Sequence, residues 1–152
     1  MESKDTVTEE YKFKNRKEWL SAIQKAPNDG MIKNRVIGSS SIKFIPIAIQ
    51  DAMCDLLFIE FDIIDIKTEI YNNQILITIK ISMLPNYPNS EHRVICGIAS
   101  KPLGSSKNSL ESKGPGTLAS AKSNALMSLG NLFGRNLNRG FNNGFSLIKD
   151  KE

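Results

Sequence analysis

The sequence predicts an α+β single domain: a three-stranded antiparallel β-meander packed by a long small-residue helix, with short flanking helices. Three observations carry that prediction. Residues 59–83 alternate apolar and polar side chains on both sides of Asn72-Asn73, the pattern of a long hairpin. A second alternating run follows at 93–99. Residues 114–136 then place Leu118, Ala121, Ala125, Leu129, Leu132 and Phe133 three or four apart, as one face of a helix does.

In chain order, residues 1–10 read as a loose polar arm. Residues 14–26 read as a short helix with Trp19, Leu20, Ile23 and Ala26 on one face, ended by Pro27-Asn28-Asp29-Gly30. Trp19 suits a core or interface anchor better than a base-stacking platform. Residues 33–45 form two short strands around a small-residue turn, Gly38-Ser39-Ser40-Ser41. Pro46 opens a helix, because the first turn does not use its missing N–H. Ile49, Ala52, Met53 and Leu56 are its expected apolar stripe.

In the first hairpin strand, Ile59, Phe61 and Ile63 alternate with Glu60 and Asp62. The phase then slips by one to Ile64, Ile66 and Ile70, which predicts a bulge or bend. The second strand places Ile75, Ile77, Ile79, Ile81 and Met83 on one face, and Pro85 and Pro88 end it. In the third, Val94, Cys96 and Ile98 are expected inward. Residues 101–116 read as a Ser-, Gly- and Lys-rich loop. Gly114-Pro115-Gly116 is a stiff turn, and Thr117 an N-cap for the long helix. Gly130 and Gly134 near the helix end predict the close approach of another backbone. Residues 137–152 read as a flexible tail, whose Phe141 and Phe145 suit a partner contact and ordinary packing equally.

The totals restrict the functional classes. With 152 residues, 40% of them hydrophobic, the chain is long enough for one domain with a core. No run of about 18 apolar residues is present, so no membrane span is expected. The polar, acidic start does not read as a secretory signal. Cys54 and Cys96 lack metal-ligand spacing, sit among apolar neighbours and read as reduced core residues, which points to a reducing cytoplasm or nucleoplasm, the cytoplasm being expected here. Abundant Ile, Asn and Lys suit an AT-rich bacterial or phage genome.

Net charge is only +4, but it is unevenly distributed. Residues 31–50 carry Lys33, Arg35 and Lys43 and no acid. Residues 51–71 carry six acids against Lys67, and residues 92–149 carry eight basic residues against Glu111. Two positive blocks flanking a negative one read either as a solvated pattern or as a basic groove for a polyanion. The candidate nucleic-acid-binding set is Lys33, Arg35, Lys43, Lys101, Lys107, Lys113, Lys122, Arg135 and Arg139.

Catalysis has little support. His92 is the only histidine, and it sits at a strand start. Glu60, Asp62, Asp65 and Glu69 suit a solvated face, or one that repels DNA, better than a nuclease metal site. Lys113-Gly114-Pro115-Gly116-Thr117 lacks the order of a Walker loop. No catalytic residue, metal or cofactor is assigned.

The alanine-rich helix, with Lys122-Ser123-Asn124-Ala125-Leu126 followed by Leu129-Gly130-Asn131-Leu132-Phe133-Gly134, resembles the signature of the Rad-fifty-two-type single-strand annealing proteins, a superfamily with eukaryotic and phage members. The resemblance spans residues 33–136. It implies a protein that holds one DNA strand by its backbone, exposes the bases to a complementary strand, and anneals the two without ATP as an oligomeric ring or helical filament. In that family an Arg before a glycine-rich turn helps hold DNA, and Arg35 matches it in Arg35-Val36-Ile37-Gly38-Ser39-Ser40. The family's basic residues on the long helix correspond here to Ser123, Asn124 and Met127, with only Lys122 nearby. Its loop lysine has no firm register, and Lys101 and Lys107 stand for it. An exonuclease or a single-strand-binding protein is a partner compatible with this role. The rival readings are a single-stranded DNA- or RNA-binding protein that coats without annealing, a nuclease using the acidic strand, and a phage structural or adaptor protein.

Overall fold

A computed structural model describes residues 10–105 and 109–137. The expected arm and tail lie outside the described residues except for Glu10 and Leu137, as do Lys107, Arg139, Phe141 and Phe145. The order is α1 (Arg16–Gln24), β1 (Lys33–Ile37), β2 (Ser40–Phe44), α2 (Ile47–Leu57), β3 (Phe58–Tyr71), β4 (Gln74–Pro85), β5 (Arg93–Pro102) and α3 (Ser109–Met127). Single 3-10 turns at Asp29–Met31 and Asn131–Phe133 complete it. β1 and β2 form a separate antiparallel hairpin, and β3, β4 and β5 form an antiparallel meander with β4 central. The fold class is therefore the expected α+β.

α1 is capped by Asn15, whose Oδ1 accepts from the Glu18 N–H at 3.0 Å. Trp19 and Ile23 face the core. Trp19 is a core anchor: its Nε1 donates to the Leu57 carbonyl at 2.8 Å, and its ring meets Phe58 edge-on at 5.9 Å. In α2 the inward stripe is Gln50, Met53, Cys54 and Leu57. The expected stripe of Ile49, Ala52, Met53 and Leu56 is rotated from it, and Leu56 is half exposed. The rotation follows from Gln50, a polar residue buried because its Nε2 donates to the Ile45 carbonyl at 3.0 Å.

Asn72 and Asn73 take φ of 48° and 58°. This is the double left-handed turn that suits a two-residue hairpin and that Asn tolerates. The register of β3 on β4 shifts between Ile63 and Asp65, leaving Ile64 as the bulged residue where the sequence phase slips. Ile75, Ile77, Ile79, Ile81 and Met83 of β4 are all buried, as expected.

β5 corrects the expectation. Val94, Cys96 and Ile98 are exposed, and Ile95, Gly97 and Ala99 face α3. The cause is register: Ile95 pairs with Ile81, Gly97 with Ile79 and Ala99 with Ile77, and directly opposed residues share a face. Cys96 is thus exposed, and only Cys54 is a core cysteine.

α3 begins at Ser109, eight residues before the expected N-cap, so Pro115 lies inside the helix. Gly114, lacking Cβ, relieves the crowding that a residue before proline meets in the α conformation. Thr117 is not a cap; its hydroxyl donates to the Lys113 carbonyl at 2.7 Å. Ala121 and Ala125 are fully buried against the sheet. Gly130 lies beyond the helix, where a Cβ would stand 2.4 Å from Ile23 Cγ2 and 2.6 Å from the Ile23 carbonyl oxygen. The expected close approach is therefore to α1. Gly134 takes φ of 88°, a left-handed conformation that ends the following 3-10 turn.

Candidate nucleic-acid interface

The β1–β2 hairpin and the outer face of α3 enclose a groove of about 510 Å³. The pairing of Lys33 with Phe44 and of Arg35 with Ile42 sets Lys33, Arg35, Ile42 and Phe44 on one face of the hairpin. Arg35, Ile42 and Phe44 line the groove. The register is carried by a two-residue turn at Gly38-Ser39, where Gly38 takes φ of 60°.

The opposite wall consists of Gly116, Ala119, Ser120, Ser123 and Asn124 of α3. These recur at helical spacing, so their small side chains leave a thin wall. The wall is braced from below. Ser123 Oγ donates to Gln50 Oε1 at 2.9 Å, and Asn124 Nδ2 donates to the Ile98 carbonyl at 2.8 Å. Lys101, near the end of β5, reaches the same groove. A Cβ at Gly116 would lie 3.0 Å from Lys101 Nζ, so this glycine makes room for the ammonium.

The structure thus brings Arg35 and Lys101 together across one groove. Lys33 shares Arg35's face of the hairpin. Lys113 is exposed on α3, seven residues before Ser120, and extends the same helical stripe. Lys43 lies on the other hairpin face, opposite Asn34.

Two residues of the expected set are tied elsewhere. Lys122 Nζ pairs with Asp51 of α2 at 2.6 Å and lies 5.7 Å from the Phe61 ring centroid. Its position, two residues from Ser120, turns it to the far side of α3. Arg135 Nε donates to the Met127 carbonyl at 3.0 Å, and its Nη2 donates to the Ser128 carbonyl. It caps the open C-terminal end of α3.

The groove also contains what the charge pattern did not single out. Ile42, Phe44, Pro46 and Ile47 give it an apolar flank beside Arg35. The signal was present in the alternation of β2, where Ile42 and Phe44 recur two apart and in pairing phase with Arg35.

The acidic residues of β3 form a different surface. The bulge at Ile64 restores phase, so Glu60, Asp62, Asp65 and Glu69 all share the sheet face away from α3. They are partly compensated there: Asp65 opposes Lys80, Lys67 pairs with Glu69 at 3.0 Å, and His92 Nε2 meets Glu60 at 2.7 Å. Among the described residues no group of three His, Cys, Asp or Glu side chains is placed to hold a metal ion. No helix among them is long and apolar enough to cross a membrane. No protein-family model matches the chain, and no curated protein matches it.

Proposed function

We propose that the chain binds single-stranded DNA along its backbone and anneals complementary strands without ATP, as the Rad-fifty-two-type resemblance implies. The observation that carries this reading is the convergence of Arg35 and Lys101 on a groove with one small-residue wall and one apolar flank. Two cations from separate elements suit phosphates spaced along a strand, and Phe44 and Ile42 offer apolar contact to sugars or bases. A thin wall allows the backbone to seat deeply while the bases point outward. No hydrolysis is required, because base pairing supplies the driving force. On this reading the protein is not an enzyme and works in the cytoplasm, which is the host's if the gene belongs to a phage.

Assembly into a homo-oligomeric ring or filament belongs to the same proposal. α3 packs chiefly on β4 and β5, while of β3 only Phe58 and Phe61, at its start, join the core among the described residues. On the helix-side face of β3, Ile63, Ile66 and Ile70 are 40%, 50% and 57% exposed. A 14-residue edge strand with such a face supports pairing with another copy. A groove repeated around an assembly would multiply weak phosphate contacts.

The test is the annealing rate of two complementary labelled oligonucleotides with and without the protein and without ATP. Acceleration well beyond spontaneous pairing supports annealing. Binding without acceleration replaces it with a protein that coats single-stranded DNA or RNA, and the absence of both binding and acceleration removes the nucleic-acid reading.

A further inference from the structure

A second basic cleft lies at the other end of β5, outside the Arg35–Lys101 groove. It occupies about 670 Å³ between the start of α1 and the connection from β4 to β5. Lys14 and Arg16 come from one side and Arg93 from the other, and Glu91 is the one carboxylate in its lining. Among the described residues, none of these three cations pairs with a carboxylate. The nearby Glu60 is held by His92 at 2.7 Å.

The cleft is built from ordered parts. Arg93 is half-buried, with its guanidinium carbon 5.6 Å from the Trp19 ring centroid, so an aromatic face orients it without neutralising it. Tyr87, also in the lining, is buried against Trp19. The connection is pinned by Ser90 Oγ donating to the Pro85 carbonyl at 2.6 Å. On the facing side, Phe13 N–H donates to the Asn86 carbonyl at 3.1 Å. The two walls are thereby tied together before any ligand arrives, which lowers the ordering needed on binding.

We infer that this cleft binds a phosphate group, at a site distinct from the Arg35–Lys101 groove. Two guanidinium forks and an ammonium against a single carboxylate suit a tetrahedral phosphate anion, since Arg presents paired donors that match phosphate oxygens. Arg93 and Lys101 are eight residues apart on one strand, so their Cα atoms are about 26 Å apart, at opposite ends of β5. The phosphate is carried either by a free monoester or by the backbone of a nucleic acid.

The test compares the full chain with the K14Q/R16Q double variant and with R35Q as a groove control. Lys14 and Arg16 are exposed, so the double variant is expected to fold. At constant ionic strength, inorganic phosphate should raise the melting temperature of the wild type and of R35Q. Affinity in K14Q/R16Q should be weaker by roughly tenfold or more, as the loss of charged hydrogen bonds implies. A second arm uses fluorescence anisotropy with an oligothymidylate lacking terminal phosphates. Weaker oligonucleotide binding by K14Q/R16Q, in addition to the R35Q effect, assigns the phosphate to a nucleic-acid backbone. A phosphate response with unchanged oligonucleotide binding assigns it to a monoester. Either result supports the site. No phosphate response in the wild type, or an equal response in K14Q/R16Q, overturns it. The groove is read separately, from the oligonucleotide affinity of R35Q, so its failure and that of the cleft are distinguishable.

Discussion

Gly97 of β5 and Ala121 of α3 set the distance between helix and sheet: a Cβ on Gly97 would stand 2.0 Å from the Ala121 carbonyl oxygen. It would also stand 2.8 Å from the Ala125 Cβ. Both alanines are fully buried, so the small-residue face of α3 exists to meet a strand with no side chain at the contact. The opposite face of the same helix becomes the groove wall, so this contact also positions the candidate site.

Gly97→Ala should therefore be destabilising out of proportion to one methyl group. The helix backbone must retreat, and overpacking of this kind costs about 1–3 kcal/mol or more. Urea denaturation should show a lower midpoint. An unchanged midpoint would mean that α3 does not sit as described.

Arg35 and Lys122 should separate binding from folding. Arg35→Ala is expected to weaken single-strand binding and to reduce the slope of log affinity against log salt by about one, with a native melting curve. Lys122→Ala should leave that slope unchanged, because its charge is already held by Asp51. Its stability loss should be under about 1 kcal/mol, since the pair is partly solvent-screened. A reduced slope in Lys122→Ala would return this lysine to the phosphate track.

Trp19→Phe should cost about 1–3 kcal/mol through the lost hydrogen bond and indole packing. The Leu57 carbonyl keeps a second donor, the Asn86 N–H at 2.9 Å, which holds the loss below that of an orphaned acceptor. Thermal unfolding measures it. A neutral substitution would remove Trp19 as the anchor between α1 and the end of α2.

The two cysteines should differ sharply toward a thiol reagent. Cys96 is exposed and Cys54 buried. Burial pushes the Cys54 thiol up from 9.0 to about 12, with Lys122 opposing and Asp51 and Asp55 adding to the rise. A neutral thiol is not the nucleophile, so one label per native chain is expected at pH 8, at Cys96. Because its folded value lies above the unfolded one, Cys54 favours the native state below pH 9 and withdraws that contribution between about pH 9 and pH 12. Two labels per native chain, read by mass spectrometry, would contradict the burial.

The amino-acid sequence by itself determined the features governed by local pattern. The alternation of Ile75 to Met83 marked the buried face of β4, the slip at Ile63-Ile64 marked the bulge, and Asn72-Asn73 marked the turn. Each depends on neighbours one to four residues away. Arg35 before a small-residue turn likewise pointed to the hairpin that lines the groove.

Tertiary structure decided what local pattern leaves degenerate. β5 carries apolar residues on both faces, so alternation sets no phase, and pairing with β4 turned Ile95, Gly97 and Ala99 inward instead of Val94, Cys96 and Ile98. Gly114-Pro115-Gly116 has strong turn chemistry, yet the residues continue a helix that packs on the sheet. Lys122 and Arg135 look like free cations in a basic block. Their charges are engaged by Asp51 and by the carbonyls at the end of α3, partners that only folding brings within reach. Lys101 joined Arg35, 66 positions earlier in the chain, because the groove is made where the small hairpin meets α3 and the end of β5, a juxtaposition set by packing between elements and by no periodicity within one.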